Sequence, residues 1–68
     1  MSDKDELTSN ERHIGQTVRQ ACIQAAKEGF QDASMRGLCN EGAIEAAVGV
    51  VQLLDIEQIV AEAKQTDQ

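Results

Sequence analysis

A thiol, an imidazole and two spaced pairs of carboxylates are the groups in this 68-residue sequence best suited to chemistry. Cys39 follows a helix stop and precedes an apolar helical pattern, so it sits where the positive end of a helix dipole can favour a thiolate. That position makes Cys39 the candidate reactive thiol, and a small redox-active or metal-responsive protein using Cys39 is the alternative reading of function. Glu41 and Glu45 work against it by disfavouring a nearby negative charge, and Cys22 is not at Cys-x-x-Cys spacing. The expectation is therefore that Cys39 is a packed cap or turn residue, and that Cys22, on an apolar helical face, packs as a small hydrophobe.

Metal ligation needs several donors converging. Glu28 with Asp32 and Glu41 with Glu45 each share a helical face at i, i+4, but the single histidine, His13, has no glutamate three residues before it, as a Glu-x-x-His site requires. Only a symmetric dimer, by doubling each set, would bring more donors together. These residues are expected to form a solvated acidic face, with no metal and no cofactor. Catalysis has still less to work with, because no serine or cysteine nucleophile stands in sequence context with a histidine. The run Gly37-Leu38-Cys39-Asn40-Glu41-Gly42 lacks the lysine and the preceding strand of a phosphate loop. No catalytic residue is assigned, and the chain is not expected to be an enzyme.

Charge narrows the partners. Twelve acidic residues against six basic give a formal charge of −6, which repels phosphate backbones and anionic lipid, so neither nucleic acid nor membrane is an expected partner. Phe30 is the only aromatic residue, which leaves nothing for base stacking. No apolar run approaches the roughly 20 residues of a membrane span, the first six residues lack a signal pattern, and two cysteines are too few for a disulfide scaffold. The expected compartment is the cytoplasm. Between Arg12 and Arg36 four basic residues face two acidic ones, a net +2, whereas Gly37 to Gln68 sets Lys64 against six acids, a net −5. That asymmetry favours docking the first half antiparallel on the second, within one chain or between two.

The elements that would position these groups are all helical. Thr8-Ser9-Asn10-Glu11 matches a capping box, so a helix is predicted from Ser9. At 100° per residue Ile14, Val18, Ala21, Cys22, Ala25, Gly29 and Ala33 share one face, and Gln16, Gln20, Gln24, Lys27 and Gln31 lie opposite. Ile23 and Phe30, seven apart, fall off that stripe and suit a second contact. Arg36, Gly37 and Leu38 suit the last turn, the left-handed residue beyond it and the apolar residue that follows. A second helix over Glu41 to Leu54 confines Glu41, Glu45 and Gln52 to a narrow polar wedge, with apolar residues over roughly 220° of the remainder. One partner helix covers a stripe of only about 100°, so more than one neighbour must pack there. Asp55 and Gln58 then introduce a short third helix from Ile56 to about Lys64. Gly15, Cys22 and Gly29, and across from them Gly42, Ala46 and Gly49, are small enough to let backbones come close.

The segment Arg36-Gly37-Leu38-Cys39-Asn40-Glu41-Gly42-Ala43-Ile44-Glu45-Ala46-Ala47-Val48-Gly49, with Leu54-Asp55-Ile56, resembles a GLCxEGAxEAAxG-like stretch in small, uncharacterised helical proteins of bacteria. The resemblance implies a compact helical fold and supplies no activity. Together the patterns predict an all-α chain: a disordered segment over residues 1–8, one helical domain over 9–64 built as a long helical hairpin plus a short C-terminal helix, and a frayed end over 65–68. Two such hairpins would dimerise into a four-helix bundle. The expected interface comprises Ile44, Ala47, Val48, Val51 and Leu54 with Ile14, Val18 and Ala25, and the expected role is a non-enzymatic protein–protein interaction or accessory module. Its partner is a second copy, or a larger protein held by the apolar surface of the second helix.

Overall fold

The structure, a computed structural model, describes residues 7–66, and those residues form three helices and no strand: α1 (Ser9–Met35), α2 (Asn40–Gln52) and α3 (Ile56–Thr66). The expected all-α class is what the chain adopts. Of the disorder expected for residues 1–8 and the fraying expected over 65–68, residues 1–6 and 67–68 lie outside the described residues, whereas Thr8 is hydrogen-bonded to Glu11 and residues 65–66 belong to α3.

Each helix boundary has a local chemical cause. At the start of α1 the Thr8 N–H donates to Glu11 Oε1 at 3.0 Å and the Glu11 N–H donates to Thr8 Oγ1 at 3.0 Å, a reciprocal capping box. At its end the Gly37 N–H donates to the Ser34 carbonyl at 3.0 Å and the Leu38 N–H to the Ala33 carbonyl at 3.1 Å. This is a Schellman closure, and it needs the φ of +95° that Gly37 adopts without a Cβ penalty. The helix ends at Met35, one residue short of the expected Arg36, which becomes the last residue before the left-handed Gly37, its N–H shared between the Asp32 and Ala33 carbonyls, both at 3.1 Å.

Cys39 is the N-cap of α2, with extended backbone and its carbonyl accepting from the Ala43 N–H at 2.8 Å. The helix stops at Gln52 instead of Leu54. Its last turn tightens, with the Leu53 N–H bridging the Gly49 and Val50 carbonyls at 3.2 and 3.1 Å, and Asp55 must leave helical geometry to cap α3. Asp55 Oδ1 accepts from the Gln58 N–H at 3.1 Å, while the Gln58 side chain runs forward to Glu62 instead of back to the cap. α3 continues two residues past the expected Lys64, and Lys64 itself lies in the last turn, where a cation suits the negative end of the dipole.

The chain divides into two compact units. In one, residues 7–20 of the α1 region pack with residues 55–66, and Ala63 is its buried residue, flanked by the half-buried Ile14, Val18, Ile59 and Val60. In the other, Ala21–Leu54, the second part of α1 folds back on α2 through residues 36–39. Its seam is made of small residues, with Ala25, Gly29 and Ala33 of α1 and Ala43 and Ala47 of α2 all buried. A Cβ built on Gly29 would lie 2.9 Å from Val50 Cγ2, 3.1 Å from Ala47 Cα and 3.3 Å from the Ala46 carbonyl oxygen. The two backbones meet at that point. Gly15 and Gly49, which share the small-residue spacing, have nothing within 4 Å of such a Cβ.

Candidate functional site: an apolar groove between two helices

The close seam decides which residues remain outside it. Ala43 and Ala47 lie four apart and turn toward α1, so the next stripe of α2, Ile44, Val48 and Val51 at i, i+4, i+7, is carried to one side of the contact. Ile44 is 54% exposed and Val48 51%. Across from them α1 contributes Ala26 and Phe30, and between the helices these residues wall an open groove of ≈ 540 Å³ with Ala47 at its floor. Its polar boundary consists of Lys27 and Gln31 on α1 and Gln52 on α2. Glu41 and Glu45 share the narrow polar wedge of α2 with Gln52, so they continue that edge toward the start of the helix.

The residues expected at an interface are therefore sorted by the fold. Ile44, Ala47, Val48 and Val51 come together in the groove. Ala25 is buried in the α1–α2 seam, and Ala47, though it reaches the groove floor, is also a seam residue. Leu54 is half-buried and does not line the groove, and Ile14 and Val18 are half-buried in the other unit. Phe30, expected to suit a second contact but not named in the interface set, lines the groove. Its signal was its departure, with Ile23 seven residues before it, from the main apolar stripe of α1, and the groove wall is what that departure builds.

No family model, curated protein or solved structure matches this chain. The groove must be interpreted from its own chemistry.

Cys39 is an exposed free cysteine at the head of α2, and its thiol makes no cap hydrogen bond; Cys22 is also free and half-buried. Of the two carboxylate pairs, Glu28 and Asp32 are each held by another side chain. Asp32 Oδ2 accepts from Arg36 Nη2 at 2.6 Å in an exposed ion pair, and Glu28 Oε2 accepts from Gln24 Nε2 at 2.8 Å, so each is engaged along its own helix. Among the described residues no group of three or more His, Cys, Asp or Glu side chains could hold a metal ion. His13, placed by periodicity on the polar side of α1, is half-buried, and its carbonyl accepts from Thr17 Oγ1 at 3.0 Å. Within the same residues no helix is long and apolar enough to cross a membrane.

Proposed function

We propose that this chain is a non-enzymatic protein–protein interaction or accessory module that acts as a homodimer through the apolar surface of α2. The observation that carries the reading is the side-by-side exposure of Ile44 and Val48 in a groove whose walls are almost wholly aliphatic and aromatic. Such residues are normally inside a folded domain, and a contiguous patch of them on a small domain marks a surface that another surface covers.

Two α1–α2 hairpins laid groove to groove would make the four-helix core of a bundle, each α2 gaining the second neighbour that its apolar arc calls for. The two free cysteines are compatible with a reducing compartment, and the proposed setting is the cytoplasm. Sedimentation velocity at micromolar concentration tests the reading. Twice the chain mass, unchanged by salt, is the expected result; a well-folded monomer would remove it.

A further inference from the structure

We propose that the hairpin is an obligate half-structure: its folding is coupled to pairing of the Phe30, Ile44, Val48 and Val51 groove with the same groove of a second copy. This rests on the homodimeric reading above and specifies its face, its symmetry and its consequence for the free chain.

The first support is what the folded chain hides. Among the described residues the buried apolar set is Ala25, Ala33, Ala43, Ala47 and Ala63, and no larger side chain is fully buried. The larger apolar groups, including Ile44, Val48, Val50 and Leu53, remain exposed. An alanine seam brings two helices close but removes little apolar surface from water, and burial of apolar surface is the dominant favourable term in folding. A chain of this length buries a smaller share of its surface than a larger domain does, so it needs its Ile, Val and Phe side chains inside. Cover is thus required whenever the chain is folded, not only on encounter with a ligand, and a second copy is the partner that accompanies every chain.

The second support is fit. α2 has 13 residues, roughly 20 Å of helix, and two helices at 8–10 Å spacing offer a face roughly 20 Å wide. The flat projection of that face is roughly 400 Å² on each copy, about half of the ~800 Å² per partner in a standard interface, and a second copy of the same dimensions covers the whole of it. A single helix laid in the groove would contact only one stripe of it. The third support is charge. A two-fold axis parallel to the helices lays α1 of one copy over α2 of the other, so the Lys27 edge meets the Glu41 and Glu45 edge. An axis across the helices sets acidic edge on acidic edge, which is repulsive.

Thermal unfolding of the full chain, followed by helical circular dichroism over a hundredfold range of concentration and paired with sedimentation, tests the coupling. The midpoint is expected to fall by about 5 °C for each tenfold dilution, with helicity and dimer lost together. A midpoint independent of concentration in a sample that sediments as a dimer overturns the coupling while leaving the homodimer intact. A folded monomer overturns both. Val48→Asp is expected to abolish dimer and helicity together, and Leu53→Asp, at a position 85% exposed and outside the groove, to leave both unchanged. Loss of the dimer with Leu53→Asp but not with Val48→Asp overturns the assigned face.

Discussion

Replacing Gly29 by alanine sets two effects of known sign against each other. In an open helix interior the change stabilises by about 1 kcal/mol, because glycine loses more backbone freedom on folding. At Gly29 the new methyl would lie 2.9 Å from Val50 Cγ2, 3.1 Å from Ala47 Cα and 3.3 Å from the Ala46 carbonyl oxygen. Val50 is partly exposed and its side chain can turn away, but the other two contacts are backbone and yield only if α1 and α2 separate by a few tenths of an ångström. Overpacking of this kind costs about 1–3 kcal/mol, so the net expectation is a loss of about 0–2 kcal/mol. Gly15→Ala is the control, since nothing lies within 4 Å of its Cβ, and it is expected to stabilise by about 0.5–1 kcal/mol. Urea unfolding of both variants and the parent, at one protein concentration and followed by circular dichroism, measures the difference. If Gly29→Ala stabilises as much as Gly15→Ala, the close approach of the two helices at this seam is wrong.

Other changes probe the boundaries and the surface. Gly37→Ala forces a Cβ onto a φ of +95° and is expected to cost about 1–2 kcal/mol, read as a fall in the urea midpoint with unchanged slope. Cys39→Ser gives α2 the side-chain cap that the thiol does not make, so a gain of about 0.5–1 kcal/mol is expected in the same assay. Thiol labelling of the native protein should modify the exposed Cys39 first and Cys22 more slowly; equal rates would contradict the partial burial of Cys22. Asp32→Asn removes an ion pair whose side chains are both largely exposed, and the expected change is under about 0.5 kcal/mol, vanishing at high salt.

These expectations differ in how far they could be read from the chain alone. Thr8 with Glu11, and Arg36-Gly37-Leu38, announce a start and a stop because their hydrogen bonds run between residues at fixed offsets. The end of α2 was less legible: whether Leu53 and Leu54 remain helical depends on the tight last turn and on Asp55 being drawn off to cap α3. Small-residue spacing could not separate Gly29 from Gly15 and Gly49. All three fit a close-packing stripe, and only the fold shows that Gly29 alone of the three meets a neighbouring backbone. For the same reason Ala25 and Ala47 appeared equivalent to Ile44 and Val48 as contacts. Once the alanines define the seam, the larger residues are displaced beside it, and Phe30 becomes the opposite wall.

Pairing of two grooves can be observed directly. Phe30 is the single phenylalanine of a chain with no tyrosine or tryptophan, so an isotope-filtered nuclear Overhauser experiment on a mixture of methyl-labelled and unlabelled protein has one phenyl reporter, to be told apart only from the imidazole of His13. Contacts between the Phe30 ring of an unlabelled chain and the Ile44, Val48 or Val51 methyls of a labelled chain are the expected result. A fully folded sample with no contact between chains at these methyls would contradict it.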